Sequence, residues 1–443
     1  MDFKQYPSYK DSGVKWLGQI PDHWDSCNLK FISKIYAGGT PDRNRLDYWV
    51  KGEIPWINSG AVNQVIIKEP SEYITELGLK NSSAKYIPVN SLVMALAGQG
   101  KTKGMVAYTS IETTCNQSMA AIVPKNYHYK FLYYWLDSNY QNIRNLTGGD
   151  NRDGLNLAVL SNIPCPKISI VEQTQIVSFL DSETSRIDNL IAKQEKLIEK
   201  LEEHRKSVIS HAVTKGLDPN APMKDSGVEW LGEVPEHWQV ANIKRSTYLK
   251  GRVGWKGLTS NEFELESYAY LVTGTDFKNK YVEWSSCYQV NEDRFNDDPY
   301  IQLKNDDLLI TKDGTIGKLA VVRDLDKPAC LNSGIFLIRP EKYYLSEYMY
   351  YILKSSVFQK FFEIHSTGST ILHLYQNVFE KFSFAYPSFY EQTQIVSSLD
   401  SETSRIDNLI AKQEKLIEKL KEYRTSIISY AVTGKIDVRD LVA

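Results

Sequence analysis

The apolar positions of this chain repeat on two scales. Within residues 172–214 they recur at steps of three and four. Ile176, Leu180, Ile187, Leu190, Leu197, Leu201 and Val208 fall on one heptad track. Residues 391–433 carry the track again, at Ile395, Leu399, Ile406, Leu409, Leu416, Leu420, Tyr423, Ile427 and Tyr430. The intervening residues are mainly Lys, Glu, Arg and Asn, as a solvated face requires. Gln194 and Gln413 interrupt each stripe with the kind of polar residue that fixes register, and His204 and His211 lie on the first stripe. Each stretch therefore predicts a helix, a rod of roughly 60 Å at about 1.5 Å per residue. Both open on a capping-box pattern, Ser169-x-x-Glu172 and Ser388-x-x-Glu391, after Pro166 and Pro387, and both should end near a glycine, Gly216 or Gly434. A helix with one apolar stripe is unstable alone. Two such stripes in one chain most simply bury each other as an antiparallel coiled coil. Alternatively each stripe seeks a partner in another chain.

The longer scale is a duplication. The two helical stretches match at 37 of 43 positions, and DSGVKWLGQIPDHW at 11–24 returns as DSGVEWLGEVPEHW at 225–238. The order is short motif, variable head, long helix, then the same again. This divides the chain at 1–165, 166–217, 218–386 and 387–443. The heads read as β-rich mixed domains, an α+β fold. Strands are expected at 85–97, 104–109, 118–123, 306–312, 317–323 and 334–339, and helices at 129–145 and 344–363. Though dissimilar, the heads share a plan. Leu92–Gly98 corresponds to Leu308–Gly314, Thr114–Met119 to Ala329–Gly334, and Thr147–Gly149 to Ser366–Gly368. An antiparallel helix pair would relate the heads by a pseudo-twofold axis and place them at opposite ends.

Composition adds limits. The 443 residues suffice for two or three domains, and 42% hydrophobic with 24% charged residues is ordinary for a globular protein. Five scattered cysteines contain no CxxC pair, which argues against zinc and against a disulfide framework. The first residues lack the apolar core of a signal peptide, and no apolar run could span a membrane, so a cytoplasmic protein is expected. A net charge of −2 does not advertise nucleic-acid binding; DNA contacts would have to come from local patches or partner subunits.

Candidate chemistry is sparse. ALAGQGKT at 95–102 fits a loose Walker A pattern, but GMVAYT follows where a P-loop needs a helix. A hairpin tip carrying Gln99, Lys101, Thr102 and Lys103 is the better reading, and it suits a DNA groove. DDPY at 297–300 approaches the Asp-Pro-Pro-Tyr signature of amino-methyltransferases but lacks the second proline, and no cofactor loop precedes it. It reads as a turn. No catalytic cluster stands out. His23 and His237 recur beside Trp24 and Trp238 and read as structural. Glycine-rich polar loops supply further DNA candidates: Gly39 and Thr40, Asn58 and Ser59, Arg152, then Arg252, Trp255 and Lys256, then Lys312, Thr315 and Lys318, and Ser369. Solvated turns have the same composition.

The chain resembles, end to end, the specificity subunit of type I restriction–modification systems. The carriers are GVKWLGQIPDHW at 13–24 with its second copy at 227–238, YAGGTP at 36–41, and the helical repeat with its Thr433-Gly-Lys-Ile436 ending, which departs to Thr214-Lys-Gly-Leu217 in the first copy. The resemblance implies two target recognition domains, each reading half of a bipartite, asymmetric DNA site. It implies helices that act as spacer and docking surface for two modification subunits. Those subunits would bind S-adenosylmethionine and methylate adenine, while restriction subunits would use ATP and Mg. This chain itself would hold no cofactor and perform no catalysis. The main rival is a coiled-coil scaffold with two protein-binding heads; a self-contained methyltransferase is a second.

Overall fold

The computed structural model describes residues 3–98, 101–147, 154–252, 258, 260–365 and 374–441. Each long repeat is one unbroken helix, Ile170–Lys215 of 46 residues and Phe389–Val432 of 44. Past each end stands a glycine with positive φ, Gly216 at 74° and Gly434 at 69°. At Gly434 a Cβ would also lie 2.5 Å from Pro21, so only glycine fits there. The chain divides into two compact units, residues 1–194 with 415–443, and residues 195–414. Each long helix thus gives one half to each unit.

Within each unit the helix halves run antiparallel. In the first, Gly434, beyond the end of the second helix, packs on Trp24, whose indole N–H donates to Glu172 at the start of the first. Farther along, Arg424 Nε donates to Asp188 at 2.9 Å. In the second unit Gly216 packs against Glu391, and Arg205 pairs with Asp407. Asp188 and Asp407 hold the same place in the repeat, as do Arg205 and Arg424. The same contact is thus made once within each unit, with the two copies of the helix in exchanged roles.

The stripe is buried unevenly. Ile176, Leu180, Ile187 and Ile406 are fully buried. Leu190, Gln194, Leu201, Leu409, Gln413 and Leu420 are half-buried. Leu197 and Leu416, expected in the seam, are each 41% exposed. Ile209 is buried where the track called for Val208, which is half-buried. A straight helix drifts about 20° per heptad against a strict seven-residue repeat, so one track cannot stay inside over this length.

The first head is built on a five-stranded sheet in the order Ser33–Ala37, Met119–Pro124, Leu92–Ala95, Val106–Thr109, Ile66–Ile67. The second has the same frame: Thr247–Gly251, Ile335–Pro340, Leu308–Thr311, Leu319–Val321, Tyr281–Val282, Phe277–Lys278. The central strands Leu92–Ala95 and Leu308–Thr311 are buried at all four positions, which explains their continuous apolar runs. The helical stretches expected at 129–145 and 344–363 are each two helices, Tyr129–Ser138 with Tyr140–Arg144, and Ser346–Lys354 with Ser356–His365. The break falls at Asn139 and Ser355, small polar residues that compete for backbone hydrogen bonds.

Candidate nucleic-acid interface

The residues that hold each head to its helix come from the repeated motifs. Glu172 is buried and receives three donors: Trp24 Nε1 at 3.0 Å, Tyr6 Oη at 2.8 Å and His23 Nε2 at 3.0 Å. Glu391 receives Trp238 Nε1 at 3.0 Å and His237 Nε2 at 2.9 Å. The capping boxes are thus half right. Ser169 and Ser388 accept from the amides of Glu172 and Glu391, at 3.2 and 3.3 Å, while both carboxylates serve the His-Trp pair. The adjoining glutamines are buried too. Gln173 accepts from the His128 amide at 2.7 Å, and Gln392 from the Leu345 amide at 2.9 Å. Farther along each helix, Asp181 accepts from Tyr134 at 2.8 Å, and Asp400 from Tyr351. The sequence carries the signal for these latches, since PxHW and Glu-Gln recur together, but not the partnership between them.

Beyond the latches the chain reaches its loops. The run resembling a P-loop is a hairpin tip between Leu92–Ala95 and Val106–Thr109, closed by Gly104 N–H to Ala95 O at 2.8 Å. Lys101 is exposed at this tip, and its carbonyl accepts from Tyr140 Oη at 2.5 Å. Thr102 is half-buried. Lys103, expected on DNA, is only 3% exposed, and its carbonyl accepts from Arg144. Gln99 lies outside the described residues.

The equivalent tip in the second head joins Leu308–Thr311 to Leu319–Val321. The Thr311 hydroxyl donates to Thr315 O at 2.5 Å and accepts from Lys318 N at 3.0 Å, while Gly314 and Gly317 take φ of 68° and 82°. Thr315 and Lys318 are exposed. Lys312 is half-buried with its ammonium 5.3 Å from the Phe336 ring.

The other loops divide. Gly39 is a packing glycine: its N–H donates to Cys115 O at 2.8 Å, and a Cβ would lie 2.3 Å from Ala84 N. Thr40 donates to Gln117. Asn58 caps the turn Ser59–Gln64 by accepting from Gly60 N at 2.9 Å, with Ser59 half-buried. Arg252 is 2% exposed and donates through Nε to Leu331 O at 2.9 Å, so its guanidinium is turned into the fold. Arg152, Trp255, Lys256 and Ser369 lie outside the described residues. The sequence could not distinguish a buried arginine from a surface one, because both occur in glycine-rich polar runs.

Asp298 of the DDPY run is 4% exposed and caps its own turn, accepting from Tyr300 N at 3.3 Å. All five cysteines are free thiols; burial pushes Cys115 up to about 12 and Cys330 up to about 11, so neither is a ready thiolate. Among the described residues no group of three or more His, Cys, Asp or Glu is placed to hold a metal. No described helix is long and apolar enough to cross a membrane.

Two unlike heads on a duplicated helical scaffold, each ending in a polar hairpin tip, define a two-headed recognition subunit. Residues 21–203 and 256–422 match the model of the type I restriction modification DNA specificity domain. That is most of the chain, which therefore belongs to this family and is a DNA sequence-specificity subunit of the type I class. The MjaVIII specificity subunit of Methanocaldococcus jannaschii is 24% identical over 98% of both chains. The EcoR124I/EcoR124II specificity subunit of Escherichia coli is 32% identical over 40% of this chain and 44% of its own. Two solved structures share the fold at 15% identity. A chain from a structure of type I complex assembly and conformational transition superposes with a TM-score of 0.73 over 94% of this chain and 99% of its own. The HsdS subunit of Thermoanaerobacter tengcongensis gives 0.54 over 94% and 98%.

Proposed function

We propose that each head reads one half of a bipartite, asymmetric DNA site and that the chain leaves all chemistry to its partners. The observation that carries this is the helix contact made once within each unit with its roles exchanged, while the heads of the two units differ. Exchanged roles of the two helix copies suit inverted half-sites, and unlike heads make the half-sites unlike. Two modification subunits fit the duplicated helices. The first turns of the long helices expose apolar pairs at equivalent places, Ile170 with Val171 and Phe389 with Tyr390, one docking patch per subunit. In this reading S-adenosylmethionine belongs to the modification subunits, ATP and Mg to the restriction subunits, and the specificity chain is non-catalytic and works in the cytoplasm.

The test is a methylome. The chain is co-expressed with its modification subunit in a methylation-free host, and N6-methyladenine is mapped by long-read sequencing. A split motif with unlike halves, methylated once on each strand, is the expected result. An intact complex that leaves no motif would favour the scaffold reading instead.

A further inference from the structure

The first strand of each head sheet, Ser33–Ala37 and Thr247–Gly251, lies at the sheet edge. Alternation puts residues two apart on one face. In the first head that face presents Lys34 and Tyr36; in the second, at the equivalent positions, Tyr248 and Lys250. The order is reversed, yet the arrangement is the same. Tyr36 Oη donates to the carbonyl of Tyr86 at 2.7 Å, and Tyr248 Oη to the carbonyl of Tyr300 at 3.0 Å. Tyr86 and Tyr300 are themselves 42% and 64% exposed. In the first head the ammonium groups of Lys34 and Lys85 stand 5.7 and 6.0 Å from the Tyr36 ring. In the second, Lys250 stands 5.9 Å from Tyr248 and 5.8 Å from Tyr300. Lys34, Lys85 and Lys250 are exposed, and none makes an ion pair among the described residues. The nearby carboxylate of Glu380 is taken by Lys244 at 3.0 Å.

We propose that this Lys–Tyr strip is where each head grips the DNA sugar–phosphate backbone, independently of sequence. The proposal rests on the DNA-recognition reading and adds the surface that positions the duplex, as distinct from the tips that specify it. Unpaired ammonium groups meet phosphates, and the tyrosine rings offer flat faces to the sugars. Lysine on an edge strand also discourages pairing with another sheet. That task needs only charge, whereas both heads also hold a tethered ring beside the ammonium. The two heads exchange Lys and Tyr at the equivalent strand positions, and the first adds Lys85; a backbone grip tolerates that exchange, because it needs an ammonium beside a ring and not a given residue at a given position.

The test uses the chain assembled with its modification subunit. A Lys34→Ala, Lys85→Ala, Lys250→Ala variant is compared with the parent by fluorescence anisotropy. The duplexes carry or lack the target mapped from the parent's methylome, and salt is varied. Binding to both duplexes should weaken together, the ratio between them should hold, and the slope of log affinity on log salt should fall by about 0.9 per lysine lost. The Lys→Arg triple variant should restore the slope. Unchanged affinity and slope would leave Lys34 and Lys250 as edge protection only and overturn the proposal. So would a changed methylation motif, which would mean that the strip reads bases. A parent that leaves no methylation motif refutes the recognition reading and the proposal together. That outcome is distinguishable because it precedes any substitution.

Discussion

At the scale of single residues, the most informative atoms are the carboxylate oxygens of Glu172 and Glu391. The Glu172 side chain is 6% exposed and that of Glu391 is 25% exposed. Glu172→Leu would leave Trp24 and Tyr6 as buried donors without an acceptor, at about 1–3 kcal/mol for each stranded group. Glu391→Leu should destabilise less, because position 220, equivalent to Tyr6, is Asn220 and only His237 and Trp238 lose a partner. Urea unfolding of the two variants, followed by tryptophan fluorescence, checks the order. A larger loss at Glu391 would contradict it. Asp437 gives a pH prediction. Its carboxylate is held below its usual 3.8, first by the hydrogen bond from Arg439, whose Nη2 stands 2.7 Å away. A carboxyl group with a depressed folded value contributes stability that is complete above its unfolded value and is lost as pH falls through the folded one. The first unit should therefore loosen below about pH 4. In Asp437→Asn that part of the acid sensitivity should vanish, as read by thermal melts between about pH 3 and 6, a range that brackets the unfolded carboxylate value.

At the scale of elements, the long helices separate what periodicity predicts from what packing decides. Ile187→Ala or Ile406→Ala removes a fully buried side chain and should cost about 2–5 kcal/mol. Leu197→Ala or Leu416→Ala, on the same heptad track but 41% exposed, should cost under about 1 kcal/mol. Equal losses at all four sites in a melting series would restore the uniform seam. The Asp188–Arg424 pair is half in solvent, so reversing its charges with Asp188→Arg and Arg424→Asp together should change stability by less than about 1 kcal/mol. Helix existence, ends and direction were legible because a 3.5-residue stripe, a capping serine and a following glycine are all local signals. The central head strands were legible as apolar runs, although the run at 85–97 is strand only at Leu92–Ala95. The side-chain destinations were not. Lys103 and Arg252 sit in polar, glycine-rich runs like their exposed neighbours, and only the tertiary fold turns them inward. The latch was half legible: the His-Trp and Glu-Gln repeats were visible, while their meeting spans about 150 residues of sequence and could not be read from either alone.

At the scale of the whole molecule, the duplicated scaffold makes the heads exchangeable parts. Replacing residues 25–163 with the corresponding head of another family member should change one half of the methylated motif and leave the other half intact. Lengthening both long helices by one heptad, after Gln194 and Gln413, should alter the spacer between half-sites and neither half-site; the methylome of each variant decides. The junction at the foot of the first unit has its own consequence. There the amide of Asp437 donates to the carbonyl of Lys4 at 2.8 Å and Lys4 Nζ reaches Asp440 at 2.9 Å, so the segment after one long helix lies beside the segment before a short motif. In the second unit the same passage, from Lys215 to Met223, is covalent. Peptide continuity is therefore interchangeable with contact at this corner. A circular permutant, cut between Asp218 and Ala221 and joined from Leu441 to Phe3 by a short linker, should fold and direct methylation to an unchanged motif.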